Sequence, residues 1–499
     1  MPLRLSSARA IVDTWLQFMQ IKRINVKKVI DPDWATLQGA IDGEVALPGS
    51  PLYERAHKPF NARFLAVLPK AIILCPTPQD VAETISFLDR HGLENATRSG
   101  GHCFAGHSST SGVVIDVTPM DWVSVSSDVA TVGAGARLGD VYEALQEQDV
   151  TIPAGTCPAV GVAGLTLGGG LGILGRKYGV TSDRLIGAQI VLADGRIVDC
   201  DESHNEDLFW ALRGAGGGNF GVVTSLVFQT VPVPEVTNFH LAWPYQRAVG
   251  VIEAWQRWAP NGPDELAASL KVTAIGDADR TPSVDVYGVL IGTGSDATDL
   301  LDELVVRSGS NPTGALSRQM TFSETRRFWA QLGAAEVMAG EGLQPHEAQQ
   351  PYLFAKSEFF GRPLPTEAIV ALVENFSLGR VSGESRELDL MPWGGAYNRV
   401  RPDATAFVHR DELFQLKHAV TVDPKGSTGE KADARRWVAR SWASVHPWGS
   451  GHVFQNFVDP DLKGWTDAYY GTNYDRLVRV KARYDPTGFF RFHQSLPAR

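Results

Sequence analysis

Arg98-Ser99-Gly100-Gly101-His102 and Gly155-Thr156-Cys157-Pro158-Ala159-Val160-Gly161-Val162-Ala163-Gly164 are the stretches on which the reading of this chain turns. Successive glycine amides can form a nest for an anion, and Arg98 adds positive charge. A surface loop with a satisfied histidine would have the same letters, so the first stretch decides nothing alone. Working outward, glycines recur in Leu167-Gly168-Gly169-Gly170-Leu171-Gly172 and again from Arg213-Gly214-Ala215-Gly216-Gly217-Gly218-Asn219-Phe220-Gly221 to Val222-Val223-Thr224. Glycine permits positive φ and close approach of backbone to another group. Many such loops in one region, separated by short apolar runs, predict a backbone wrapped around a large ligand.

The whole chain sets the frame. Its 499 residues suggest two to four compact units. The hydrophobic share of 43% and charged share of 20% are those of a globular protein with a full core, which excludes a disordered chain. The net charge of −10 and the lack of a basic run argue against nucleic acid or an anionic membrane as partner. No stretch approaches the roughly 18 apolar residues of a bilayer span. Met1–Lys22, interrupted by Asp13, Gln17 and Gln20, reads as an amphipathic helix rather than a secretion signal, and the expected location is the cytoplasm. Four cysteines without Cys-x-x-Cys spacing make neither a disulfide framework nor a cysteine-ligated zinc site, and no metal is expected.

Hydrophobic periodicity divides the chain. Ala71–Cys75, Gly112–Val117 and Val129–Val132 read as strands, and Pro78–His91 as a helix with Val81, Ile85 and Leu88 on one face. A helix is expected from Arg137. Ala193-Asp194-Gly195 reads as a hairpin turn between Ala188–Leu192 and Arg196–Val198. Asp207–Arg213 reads as a short helix and Val222–Gln229 as a strand. Val231-Pro232-Val233-Pro234 marks a boundary, after which strands (Leu270–Ile275, Ser283–Ile291) and helices (Asp296–Arg307, Pro365–Phe376) follow in series. The expected class is α+β, with residues 1–235 and 444–499 forming one domain and 236–443 the other.

Gly170-x-Gly172-x-x-Gly175 and Gly216-x-Gly218-x-x-Gly221 match a dinucleotide fingerprint, but neither stands between a strand and a helix as that motif requires. The order of all the motifs is more specific. With Tyr469-Tyr470-Gly471-Thr472-Asn473-Tyr474-Asp475 near the end, the sequence resembles the flavoproteins of the vanillyl-alcohol-oxidase superfamily, in their berberine-bridge-enzyme-like branch. The resemblance covers almost the whole chain. It implies a two-lobed FAD-binding domain of the p-cresol-methylhydroxylase type with a central α+β substrate domain. It also implies a covalent 8α-histidyl bond to FAD from His102 and a 6-S-cysteinyl bond from Cys157, although an unlinked buried thiol remains the other reading of Cys157. It places Arg98, Ser99, Gly100 and Gly101 around the pyrophosphate and Val160 at the oxygen-gatekeeper position, where valine is similar to the oxidases. Gly161, Gly164, Gly168, Gly169, Gly170, Asn219, Gly221, Val223 and Asn473 match further flavin contacts. The implied partners are a small-molecule substrate and dioxygen. Enzymes of this kind leave the redox chemistry to the cofactor and supply position and electrostatics.

Three positions depart from the pattern. Leu165 stands where many relatives have a histidine, Phe454 where several have a tyrosine base, and Arg399 where the berberine bridge enzyme has a glutamate base. Tyr397 is the nearest phenol, and Arg399, two residues along an expected strand, would be the cation that activates it. An aromatic packing residue with a bonded hydroxyl is the other reading of Tyr397. His409, in Phe407-Val408-His409-Arg410, reads as structural. The expected activity is oxidation of an alcohol, amine or glycoside-type molecule. The rival readings are a dehydrogenase with another acceptor and a flavin-retaining protein without turnover.

Overall fold

The structure is a computed structural model that describes residues 32–292, 294–337 and 350–498. The helix expected over Met1–Lys22 lies outside the described residues. Strands β1 (Glu44–Ala46), β2 (Ala71–Leu74), β3 (Asn95–Arg98) and β4 (Val113–Asp116) form a small sheet in the order β1-β2-β4-β3. Helix Pro78–His91 crosses between β2 and β3, both parallel to β4. It starts on a capping box of Thr77 and Asp80, has proline in its first turn, and ends on Gly92 at φ +62°. β5 (Val123–Ser126), β6 (Val129–Gly133), β7 (Val150–Thr151), β8 (Leu185–Leu192), β9 (Ile197–Asp201), β10 (Gly221–Gln229) and β11 (Val231–Pro232) follow. Five of them form a second sheet, β5-β6-β10-β8-β9, and β7 pairs with β11. One continuous apolar core joins these two sheets and takes in Tyr469, Leu477 and Tyr484 from the returning C-terminal segment.

The third sheet is antiparallel and seven-stranded. It comprises β12 (Val236–Pro244), β13 (Leu266–Ala274), β14 (Ser283–Ile291), β15 (Gly314–Met320), β16 (Tyr352–Phe360), β17 (Ser385–Pro392) and β18 (Phe414–Val422), in the order β15-β12-β14-β13-β17-β18-β16. Its faces differ because alternate residues point to opposite sides. Leu270, Val272, Leu388, Leu390 and Leu416 pack in one core with Trp255, Leu372 and Trp437 of the helices Ala248–Trp258, Thr366–Ser377 and Thr428–Ala443. Residues between them, such as Lys271, Asp389 and Lys417, turn to the interior cavity. The architecture is therefore α+β, with helices segregated to one face of the antiparallel sheet. Among the described residues no helix is long and apolar enough to cross a membrane.

A buried cation locks the C-terminal return. Lys481, on the helix Tyr474–Tyr484, is 1% exposed. It donates to Asp485 Oδ2 (2.6 Å), Asn219 O (2.5 Å) and Phe490 O (2.7 Å). Asp485, fully buried, also accepts from the amides of Phe489 and Phe490. Removing one member of such a pair strands the other charge, at a cost of about 3–5 kcal/mol. Lys481→Met is expected to lower stability by about that amount in urea denaturation.

Candidate active site

Two loops meet where the small sheets face the large one. The first leaves β3 at Arg98, and the second runs into the helix Val162–Leu167 through Gly161. Gly100 and Gly161 pack backbone on backbone, since a Cβ on either would stand 2.2 Å from the amide nitrogen of the other. Ser99 Oγ donates to Ala134 O (2.7 Å), and the amides of Leu138 and Gly139 donate to Val160 O (2.9 Å) and Pro158 O (3.0 Å). Held from both sides, the loops bring His102 Nε2 to 3.9 Å from Cys157 Sγ. The His102 ring lies on Phe60, with centroids 3.6 Å apart, and burial lowers its pKa to about 4, so the imidazole is neutral. Cys157 is exposed, and the protein walls around it still push its thiol up.

These residues line a cavity of about 1360 Å³. A pocket for one small ligand holds roughly 300–1,000 Å³, so this one has room for a dinucleotide beside a substrate. Arg98, Ser99, Gly100, Gly101, His102, Cys157, Val160, Gly161, Gly164, Asn219, Gly221 and Val223 all line it, as do Leu165, Tyr397 and Phe454. Arg98 is less available than its charge suggests. Its guanidinium donates to Ser108 O (2.9 Å) and Ala56 O and lies 3.8 Å from Asp116, while Nη2 has no partner. It braces the loop, with one donor to spare.

Other positions fall elsewhere. Gly168, Gly169, Gly170 and Asn473 are not in the cavity wall. The three glycines admit other parts of the protein: a Cβ would strike Asn456 Oδ1 at 2.0 Å, the Phe407 ring at 2.6 Å and Thr181 Oγ1 at 2.2 Å. Asn473 donates to Pro402 O (2.7 Å) and Thr405 O (3.1 Å) and so ties the C-terminal segment down. These residues support the site from behind.

The structure also parts Tyr397 from Arg399. Gly395–Asn398 is a 3-10 turn and not a strand, so the two do not share a face. Arg399 is 62% exposed at its side chain, pairs with Asp264 and is absent from the cavity wall. Tyr397 stacks on Trp393 (4.3 Å), donates its hydroxyl to Gly172 O (3.1 Å) and has its pKa pushed up by burial. A phenol so placed packs and does not accept protons. Arg176, buried beside it, is likewise spent on the carbonyls of Trp393, Pro260 and Gly262.

Sequence reading missed the polar face of the large sheet. Lys271, Asp389 and Lys417 stand in register across β13, β17 and β18, and Glu387 lies one step along β17 on the same face. Lys417 Nζ is 2.8 Å from Glu387 and 3.2 Å from Asp389, and Lys271 is 3.5 Å from Glu387. Desolvation opposes the charge of Lys417, but the two carboxylates outweigh it and hold its pKa above the ordinary value. Asp389 Oδ1 has no hydrogen-bond partner. The signal was present as polar or charged residues at every second position of apolar strands, in Ser269-Leu270-Lys271-Val272-Thr273 and Glu387-Leu388-Asp389-Leu390.

The wall suits FAD. Gly164 faces the cavity with nothing within 4 Å of where a Cβ would stand, Gly216 and Gly218 take φ +83° and +76°, and Arg98 Nη2 is a buried donor without an acceptor. Such backbone-lined walls admit a flat ring and a phosphate chain.

Comparison with known proteins agrees. An FAD-binding domain model matches residues 69–201, and a berberine and berberine-like model matches residues 453–497. The chain is 32% identical to the uncharacterized FAD-linked oxidoreductase YgaK of Bacillus subtilis, over 92% of this chain and 97% of that one. It is 32% identical to a chitooligosaccharide oxidase of Gibberella zeae, over 90% and 91%. A solved structure of the glucooligosaccharide oxidase from Acremonium strictum, described as carrying 6-S-cysteinyl, 8α-N1-histidyl FAD, superposes with a TM-score of 0.82 at 27% identity, over 93% of this chain and 99% of that one. The chain belongs to the berberine-bridge-enzyme-like family and is an FAD-dependent oxidoreductase.

Tyr397→Phe tests the packing role of the phenol. Turnover is expected to stay within about twofold, against the roughly 10²–10⁴-fold loss of a missing general base, while stability falls by about 1 kcal/mol through the lost hydrogen bond.

Proposed function

We propose that this enzyme is an oxidase that holds FAD through two covalent bonds, from His102 and Cys157, and oxidises an alcohol, amine or glycoside-type small molecule. The observation that carries the reading is the 3.9 Å between His102 Nε2 and Cys157 Sγ in the wall of the large cavity. Two atoms that tether one ring, at C6 and at the methyl carbon on C8, must stand within several ångströms of each other, and the neutral imidazole has a lone pair to give. FAD held by His102 and Cys157 would supply the chemistry of accepting a hydride from a substrate C–H and of returning the electrons to dioxygen as hydrogen peroxide. The apolar side chain of Val160 beside the Cys157 loop supports dioxygen as the acceptor.

The polar row on the large sheet supports a substrate rich in hydroxyl or amine groups. Lys271 and Lys417 offer donors, Glu387 and Asp389 offer acceptors, and Tyr287 and Trp329, with centroids 5.0 Å apart, give an aromatic wall. With Phe454 and Arg399 at the two familiar base positions and Tyr397 engaged, Asp389 is the acceptor we assign to the substrate's O–H or N–H proton. Its Oδ2 is held by Lys417, which leaves Oδ1 for the substrate.

Two experiments test this. Denatured enzyme is expected to stay yellow with the mass of chain plus FAD. His102→Ala alone should keep the flavin through Cys157, and only His102→Ala with Cys157→Ala should release it; complete release from the single variant would overturn the double tether. In a panel of small alcohols, amines and glycosides, the parent is expected to produce peroxide. Asp389→Asn should retain flavin but slow its anaerobic reduction by about 10²–10⁴-fold.

A further inference from the structure

Behind the cavity wall, a cluster of imidazoles and carboxylates is used by nothing described so far. His409, Glu412 and His452 each bring a ligand atom within 4.8 Å of the other two. His409 is fully buried, and its Nε2 faces Gln455 Oε1 at 3.0 Å. Because Gln455 Nε2 donates to Gly214 O, its Oε1 is an acceptor, so His409 Nε2 carries the proton and Nδ1 carries the lone pair. That Nδ1 has no partner. Glu412, 5% exposed, accepts from His452 Nδ1 (2.7 Å) and Ser450 Oγ (3.0 Å) on Oε1, while its Oε2 has no partner. Two buried lone-pair atoms are thus left unused in one small cluster, which is costly unless something fills the gap.

We propose that His409, Glu412 and His452 bind one divalent transition-metal ion of the zinc class. Two imidazoles and a glutamate are a zinc donor set, and a ligating histidine characteristically donates its other N–H to a neighbouring oxygen, as His409 does to Gln455. A tetrahedral ion with bonds of about 2.1 Å brings its donors to about 3.4 Å from one another. Side-chain rotation closes the remaining gap, and His452, 37% exposed at its side chain, has the freedom for it. The ion ties the segment before β18 to the 450–455 segment, which carries Phe454 and Gln455 into the cavity wall. It is a brace for that wall, separate from the flavin chemistry. Cysteine spacing excluded only thiolate zinc sites, and His409 and Glu412 stand too far from His452 in sequence to be read as a motif.

The test uses the flavin-loaded enzyme, stripped with a chelator, dialysed against zinc chloride and then against metal-free buffer, with bound zinc measured by mass spectrometry. The parent is expected to keep about one zinc per chain. His452→Ala and Glu412→Gln should each weaken binding at least about tenfold, and His204→Ala, on an exposed loop, should not. Should Glu412→Gln fail to fold, the half-exposed His452 variant decides. No retained zinc in the parent, or equal retention in the parent and His452→Ala, overturns the proposal.

Discussion

The contact between Gly100 and Gly161 is the constraint on which the site rests. Two loops from different parts of the first lobe approach until there is no room for a single side-chain carbon between them, 2.2 Å from Cβ to nitrogen in both directions. Any other residue at either position would push the loops apart and carry His102 away from Cys157. Ser99, Arg98 and the amides of Leu138 and Gly139 hold the contact from outside, which is why a residue as charged as Arg98 spends most of its donors on protein carbonyls. The imidazole and the thiol meet because backbone meets backbone first.

The second half of the site depends on strand alternation. In β13, β17 and β18 one face buries leucine and valine under three helices, and the other sets lysine against carboxylate in cross-strand register. Opposite charges in such a row neutralise one another, which lets them stay mostly buried in the cavity wall. Substitution at one member would leave the others uncompensated, so the row acts as a unit.

Much of this was legible in the sequence. Pro78–His91 and Ser283–Ile291 stand as read because capping and alternation are local signals. The flavin wall was legible through the order of its glycine motifs, but glycine content alone does not say what comes close. At 100 and 161 it is another loop; at 168, 169 and 170 it is Asn456, Phe407 and Thr181; at 164 it is the open cavity. Asn473 and Arg399 were misplaced for a related reason: a residue type suited to a ligand is equally suited to a backbone carbonyl or a surface carboxylate, and only the fold chooses. The strand Asn95–Arg98 has no counterpart among the expected elements, since Asn95-Ala96-Thr97-Arg98 has no apolar run to announce it. The polar row and the His409 cluster join residues from several elements, and no local pattern expresses their meeting.

The proposed assignment of the proton acceptor to Asp389 would place it on the large sheet and change what the enzyme demands of its substrate. Phe454 and Arg399 lie in irregular segments, whereas Asp389 sits mid-strand with neighbours on both sides. A group on a central strand is held more rigidly than one on a loop, and Lys417 fixes one of its oxygens. On that proposal, the rigidity would favour a substrate whose reacting hydroxyl or amine is brought to the sheet by its own polar groups, beside Lys271 and Glu387. On the same proposal an apolar substrate would be disfavoured, because it would leave the buried Asp389 Oδ1 without a donor.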